Sequence, residues 1–273
     1  NLGDGLAIDA DGNTSLRAAI MEANALAGND IVELGAGTYT LDLAGTGENE
    51  SVSGDLDVKS NIQIQGDAAN NTIIDGGGID RVFDLIGGQS DLTLTNLTVQ
   101  GGVITDDGGG INVSGPAANL TLFQVIVSGN QAVNGSGISN KGSMTLVDVE
   151  VSGNISTDLG SGKGGGIYNW DTATLKNVTV SGNSAGIGGG IYNEFNLTLT
   201  NVTVSGNSAA GAEGGGIYNS STLNMTNATI ADNTAQTQGG GIYNSGTTNI
   251  NNTIVANNTS VGGSGHDVSG TFN

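Results

Sequence analysis

The sequence predicts an all-β fold, a right-handed parallel β-helix of about nine coils closed at its N-terminal end by a single α-helix. Three observations carry this. The hexapeptide GGGIYN stands at Gly164–Asn169, Gly188–Asn193, Gly214–Asn219 and Gly239–Asn244, with looser copies at Gly108–Val113 and Gly135–Asn140, so successive copies are 27, 29, 24, 26 and 25 residues apart. That spacing is the mark of a stacked array. Second, the segment after each copy alternates apolar and polar residues with period two, which is the pattern of strands. Third, asparagine recurs at two fixed places in the repeat, Asn130, Asn154, Asn183, Asn207, Asn233 and Asn258, and then Asn140, Asn169, Asn193, Asn219 and Asn244. Stacked about 4.8 Å apart, such amides can bond from coil to coil as ladders.

Four apolar columns define the interior. Leu92, Leu120, Met144, Leu197 and Leu223 share one position, and Leu94, Leu122, Leu146, Leu175, Leu199, Met225 and Ile250 the next. After a break come Leu97, Val125, Val149, Val178 and Val202, followed by Val99, Val127, Val151, Val180, Val204, Ile230 and Val255. The residue at the break is Asn96, Gln124, Asp148, Asn177, Asn201, Asn227 or Asn252, a second anchor that advances in step with GGGIYN. Interleaved Thr and Ser columns face water. Because this alternation has period two, a slip of one residue would turn every column inside out.

Composition limits the function. Of 273 residues, 49 are Gly, 26 are acidic and only 6 are Lys or Arg, giving a formal charge of −20. Such a surface repels phosphate backbones and anionic lipid, so no nucleic-acid partner and no direct membrane insertion are expected. Cations are the expected ligands. Low hydrophobicity with high charge also describes disordered chains, but those do not keep four aligned aliphatic columns. The chain has no Cys, which excludes a disulfide framework and thiolate metal sites.

Residues 1–30 read as an N-terminal turn region and capping helix, and 31–273 as the β-helix packed with it in a single domain. In the turn region Asp4, Asp9, Asp11 and Asn13 lie close together, and oxygen ligands at alternate positions suit Ca²⁺; a turn held by Asx hydrogen bonds is the other reading. The segment Thr14–Ala27 forms a helix with Leu16, Ala19, Ile20, Ala23 and Ala27 on one face and Thr14 or Ser15 as its N-cap. It shields an otherwise open strand edge.

The stretch SLRAAIMEANALAGNDIVELGAGTYTL, Ser15–Leu41, resembles the signature segment of the CSLREAI family of secreted bacterial pectin-lyase-like β-helix proteins. Thr14 stands where that family often has Cys, and Ala18 where it often has Glu. The likeness continues through GDLDV at Gly54 and TIIDGGGIDRVFDL at Thr72–Leu85, and the GGGIYN repeats also resemble those of polymorphic outer-membrane adhesins. This resemblance implies an extracellular or bacterial cell-surface location within a large modular protein. It implies no reaction, since fold does not fix function.

Two sets of residues are candidates for function. The irregular coils from Gly54 to Gly102 carry Asp55, Asp57, Lys59, Asp75, Asp80, Arg81 and Asp84. Asp75, Asp80, Arg81 and Asp84 resemble the arrangement in several β-helix lyases, which use Ca²⁺-binding carboxylates with an Arg or Lys base to take the proton beside a uronate carboxylate. A local ion pair of Arg81 with Asp80 or Asp84 is the structural alternative. Further on, Tyr168, Tyr192, Tyr218 and Tyr243 follow Asn112 and Ser139 in one outward column, with Trp170 and Phe195 beside them. These six aromatics form the candidate glycan-binding strip; mutual shielding of neighbouring tyrosines is the competing account. Asp106-Asp107 resembles the paired aspartates of polygalacturonases, but their Gly-His-Gly and Arg-Ile-Lys motifs are missing and the lone His266 has no partner motif.

The leading expectation is therefore a structural or adhesive extracellular module with glycan affinity, whose partners are a polysaccharide or neighbouring β-helix modules stacked at the open C-terminal end. Its alternative is a calcium-dependent polysaccharide lyase or epimerase. An ice-binding solenoid is disfavoured because the column Thr95, Phe123, Val147, Lys176, Thr200, Thr226, Asn251 is too uneven to make a flat plane.

Overall fold

A computed structural model describes residues 14–272; the proposed calcium loop at Asp4, Asp9, Asp11 and Asn13 lies outside the described residues. The chain winds as a parallel β-solenoid. Sheet I comprises nine strands from Asn29–Glu33 to Thr247–Asn251, sheet II nine from Gly37–Thr40 to Ile254–Ala256, and sheet III nine from Leu56–Val58 to Val268–Gly270. A short sheet IV of six two-residue strands, Gln131–Ala132 to Thr259–Ser260, lies between II and III along the chain. Each strand pairs in parallel with its equivalents in the adjacent coils, as Leu197 does with Ala173 and Leu223.

The interior is the one the columns predict. Leu92, Leu120 and Leu197, then Leu94, Leu122 and Leu199, are buried from sheet I, and Val99, Val127, Val151, Val180 and Val204 from sheet II. Each such side chain contributes about 1.5–3 kcal/mol. Ala173 and Thr248 fill the gaps in the first column and are likewise buried.

The corners explain the polar repeat. Between sheets I and II the chain turns through one left-handed residue, Asn96, Gln124, Asp148, Asn177, Asn201, Asn227 or Asn252, at φ between 46 and 57°. Asn and Asp tolerate this region better than other non-glycine residues. The turn after sheet II sends the asparagine amides inward. Asn130, Asn154, Asn183, Asn207 and Asn233 each donate to the next Oδ1 at 2.9–3.0 Å, and Asn258 ends the ladder on Asp267 Oδ1 at 3.0 Å. A second buried ladder, Asn140 to Asn244, has steps of 2.7–2.8 Å. Both ladders stand where the repeat placed them.

Helix α1 spans Leu16–Ala25, with the Ser15 hydroxyl accepting the Ala18 N–H as N-cap. It is shorter than expected: Ala27 lies beyond its end and is exposed, while Leu16, Ile20 and Ala23 are buried. Polar contacts seat it as well as apolar ones. Arg17 donates to the carbonyls of Ser51, Gly54 and Asp55 at 3.0, 2.6 and 2.9 Å. Asn24 clips strand Leu56–Val58, donating to Asp57 O at 2.7 Å and accepting from Lys59 N–H at 2.8 Å. The helix therefore satisfies strand-edge groups that would otherwise be unpaired. Among the described residues no helix is long and apolar enough to cross a membrane.

Candidate functional site

The outward column of sheet III carries the chemistry. In register it reads Asp57, Asp84, Asn112, Ser139, Tyr168, Tyr192, Tyr218, Tyr243, Ser269. Outward does not mean exposed here: Asp57, Asp84, Asn112, Ser139, Tyr168 and Tyr192 are all buried, whereas Tyr218 and Tyr243 are half-buried. The first Gly of each GGGIYN-like turn folds over the following strand. At Gly108 an added Cβ would fall 2.6 Å from Asn112 Cβ, and at Gly164 2.2 Å from Ile167 O.

At the first coils, Asp55, Asp80, Arg81 and Asp84 come together. The Arg81 guanidinium pairs with Asp84 Oδ2, and its Nη1 lies 3.7 Å from Asp55 Oδ2. The other Asp84 oxygen accepts from Asn112 Nδ2 at 3.1 Å and Ser114 Oγ at 3.0 Å, while Asp80 takes the Arg81 N–H at 2.8 Å. Burial, reinforced by the carboxylates of Asp57 and Asp80, pushes Asp55 up to about 8. Burial likewise pushes Asp57 up to about 6, against the Ser51 N–H it accepts. Asp80 and Asp84 are raised by burial as well. For Arg81, burial acts to lower the pKa but the carboxylates of Asp84 and Asp55 outweigh it and raise it.

Asp75 does not join this group. It ends a sheet II strand, where its carboxylate accepts from Gly77 N–H at 2.9 Å and Gln100 Nε2 at 2.8 Å. The sequence-predicted set thus loses Asp75 and gains Asp55, whose Oδ2 faces Arg81, and Asp57, which the coil-to-coil register places beside Asp84. Ca²⁺ takes six to eight oxygen ligands. Here a guanidinium already stands among the carboxylates, and among the described residues no group of three or more His, Asp or Glu is arranged to hold a metal ion. The cluster as it stands does not fit calcium.

Farther along the same face lies a second constellation that sequence reasoning missed. Lys163 Nζ pairs with Glu194 Oε1 at 2.8 Å and stands 4.7 Å from the ring centre of Tyr192 and 5.5 Å from that of Tyr168. Lys141 Nζ pairs with Asp107 Oδ2 at 2.9 Å. Asn134 joins the two pairs, donating to Asp107 Oδ1 at 2.8 Å and accepting from Lys163 N–H at 2.9 Å. Burial, then the neighbouring Glu194 carboxylate, pushes the Tyr168 phenol up, and burial with Tyr218 and Glu194 does so for Tyr192. Asp107 is therefore held in an ion pair, apart from any role shared with the exposed Asp106. The signal available in sequence was positional: Lys163 directly precedes GGGIYN, and Lys141 and Glu194 directly follow a strand of that column.

The aromatic strip is arranged more tightly than a set of free platforms. Tyr192 and Tyr218 stack at 4.5 Å and 8°, and Tyr218 and Tyr243 at 5.1 Å and 18°. Both faces of Tyr218 are thus occupied by neighbouring rings. Tyr168 meets Tyr192 edge-on at 5.5 Å and Trp170 at 5.6 Å. Trp170 and Phe195, 48% and 45% exposed, are the aromatics of the set that present open surface, whereas Tyr168 and Tyr192 are buried and Tyr218 and Tyr243 half-buried.

Among solved structures the chain is similar to the crystal structure of pectate lyase Pel9A, with 17% identity and a TM-score of 0.51 over 89% of this chain and 66% of that chain. The fold is that of a pectin-lyase-like parallel β-helix. The chain spans just under two thirds of that structure's length, and at this identity the likeness is one of fold alone. The A-modules of the Azotobacter vinelandii mannuronan C-5 epimerases AlgE4 and AlgE6 also align, at 15% and 14% identity with TM-scores of 0.37 and 0.26. These cover 99% of this chain and 96% of the AlgE4 module, and 94% of each chain for AlgE6. No family model and no curated protein matches the chain. In this β-helix the two constellations therefore have to be read from their own geometry.

Proposed function

We propose that the protein acts on an acidic polysaccharide laid along the outward face of sheet III, as a lyase or C-5 epimerase that removes the proton beside a uronate carboxylate. The observation that carries this reading is the half-exposed set Lys141, Lys163 and Glu194, bordered by exposed Trp170 and Phe195. Two of the chain's six cationic residues stand there, linked through Asp107 and Asn134 to the Lys163 backbone N–H. Proton abstraction at that carbon needs positive charge to hold the developing enolate and a base within reach of the proton. Lys141 and Lys163 neutralise the substrate carboxylate, Glu194 takes the proton once its own lysine turns to the substrate, and Trp170 and Phe195 stack on neighbouring sugars. This moves the reaction away from Asp75, Asp80, Arg81 and Asp84. The fold shared with a pectate lyase supports the choice, and a substrate of this kind sets the protein outside the cell or at its surface.

A second reading, the adhesive module without turnover, is favoured by one specific feature: Lys141, Lys163 and Arg81 are each already paired with a carboxylate. Ultraviolet absorbance of unsaturated product, together with proton NMR of the uronate, separates the two on pectate, polygalacturonate and alginate. We expect turnover that falls about 100-fold or more in Lys163→Ala and Glu194→Gln with the fold retained. No product on any uronate, with polysaccharide retention that is lost in Trp170→Ala, would leave the binding module as the answer.

A further inference from the structure

The outward face of sheet III changes its charge from coil to coil. Residues that precede the GGGIYN-like turns stand in one hydrogen-bonded column, with Gly135 N–H donating to Lys163 O, Gly164 N–H to Ile187 O, Gly188 N–H to Glu213 O and Gly214 N–H to Gln238 O at 2.8–3.1 Å. Glu213 thus holds, two coils on, the position of Lys163. The Lys163 ammonium stands over the rings of Tyr168 and Tyr192, and those two tyrosines are buried. Tyr218 and Tyr243, whose turns follow Glu213 and Gln238 instead of a lysine, are half-buried. On the other flank of these strands Lys141, Trp170 and Glu194 give way to exposed Ser220 and Ser245. Lys176 is the last cationic residue of the chain, and it lies on sheet I. Among the described residues Glu213 has no ion pair.

We propose that Glu213, with Tyr218 and Tyr243, determines specificity by taking an uncharged sugar, so that the preferred polysaccharide is one in which uncharged residues adjoin the uronate held at Lys141 and Lys163. This rests on the reading of the site given above. In a chain of uronates alone every sugar carries a carboxylate. Over the lysine coils that charge is balanced, but two coils on it meets Glu213 with no cation in reach. Repulsion between two such charges near a surface amounts to about 5-fold in affinity. An uncharged sugar escapes it, and the Glu213 carboxylate can then accept hydrogen bonds from sugar hydroxyls. The half-buried tyrosines add apolar area with a polar tip. Two coils rise roughly 10 Å along the axis, about the length of a disaccharide, so the uncharged position falls close to the reacting uronate.

Affinity electrophoresis of the folded protein through gels carrying polygalacturonate tests this without requiring turnover. One gel holds the fully charged polymer, the other the same polymer with half of its carboxyls methyl-esterified. Wild type should be retained more strongly by the half-esterified polymer. Glu213→Gln should narrow that preference by about 5-fold, through tighter binding of the charged polymer, and the change should shrink in high salt. Glu150→Gln removes the same charge from the exposed face of sheet II and should leave the preference as it is. Tyr243→Ser, a side chain that Ser139 already places in this column, should weaken retention by the half-esterified polymer. Should Glu213→Gln not fold, Glu213→Ser takes its place with the same expectations, since Ser264 stands beside Gln238 at the end of that column. Equal retention of wild type by the two polymers, or equal effects of the Glu213 and Glu150 substitutions, overturns the proposal and leaves the lysine site standing. Retention by neither polymer overturns the reading of the site and this inference together.

Discussion

Replacing Asn207 by Ala cuts the buried ladder at its middle. The Asn207 amide donates to Asn233 Oδ1 at 2.9 Å, Val180 O at 3.0 Å and Ser205 O at 3.1 Å, and its Oδ1 accepts from the backbone and side-chain nitrogens of Asn183, both at 3.0 Å. The Asn233 oxygen keeps a partner, because it still accepts the Asn207 backbone N–H at 2.9 Å. The Asn183 N–H and one Asn183 amide hydrogen lose theirs in a place water does not reach, and the Val180 carbonyl, inside the paired strand Thr179–Ser181, loses its side-chain donor. At about 1–3 kcal/mol for each buried group left unsatisfied, partly relieved by relaxation, the loss should be about 3–5 kcal/mol. The control is Asn201→Gly in the exposed corner ladder, where Asn201 and Asn227 donate at 3.1 Å in full contact with solvent. Water replaces those bonds, and glycine adopts φ 55° without strain, so Asn201→Gly should stay within about 1 kcal/mol of wild type. Urea unfolding followed by circular dichroism measures both. Equal losses in the two variants would refute the claim that ladder strength here comes from burial.

Two further outcomes follow from the corners and the acidic cluster. Gly129→Ala, at φ 66° with open space around its Cβ, should cost about 1–2 kcal/mol for the left-handed backbone alone, whereas Gly188→Ala should cost clearly more, because its Cβ would fall 2.7 Å from Ile191 O; equal urea midpoints for the two would count against the covering role of that turn. Asp55 at about 8 and Asp57 at about 6 lie above the ordinary aspartate value of 3.8, so the folded chain keeps protons that the unfolded chain has released. Their contribution is complete below about pH 4 and is lost as pH rises through 6 and then 8. Urea midpoints should therefore be higher near pH 5 than near pH 9, and Asp55→Asn should flatten the alkaline part of the profile; an unchanged slope in that variant would assign the pH dependence to other groups.

The sequence made the interior legible because a solenoid repeats its register. Once Leu94, Leu122, Leu146 and Leu199 fell in one column, period two fixed the direction of every neighbour, and the pairing Leu122↔Leu146↔Leu175↔Leu199 follows. The two inner asparagine ladders were legible for the same reason. At Asn96, Gln124 and Asp148 the repeat was visible but its cause was not, since a left-handed turn leaves no mark beyond a preference for Asn and Asp. The acidic cluster was half legible. Asp80, Arg81 and Asp84 are close in the chain, but a corner sends Asp75 to sheet II, and Asp55 arrives only through pairing with the next coil. Lys163 and Glu194 are 31 residues apart, one before and one after equivalent strands that the coil-to-coil pairing sets side by side, and the lysine side chain spans the gap. The tyrosine column was visible in sequence, whereas its burial depends on mutual stacking and on the glycine turns above it.

The outward column of sheet III shows why the first coils are irregular and the later ones are not. In a parallel stack each residue meets its own equivalent about 4.8 Å away, so only side chains that attract their own kind can repeat indefinitely. Asparagine does, having a donor at one end of its amide and an acceptor at the other. Tyrosine does so by stacking, and Tyr192, Tyr218 and Tyr243 show it. Aspartate does not. Asp57 set against Asp84 places two carboxylates in adjacent register positions, and the pair persists because Arg81 enters beside them, Ser51 caps one and Asn112 and Ser114 cap the other. Arg81 cannot recur in every coil without making a further charge to be balanced. The departures from the repeat between Gly54 and Gly102 are therefore what a like-charged pair requires, and the change down the column from Asp through Asn112 and Ser139 to Tyr marks where that requirement ends.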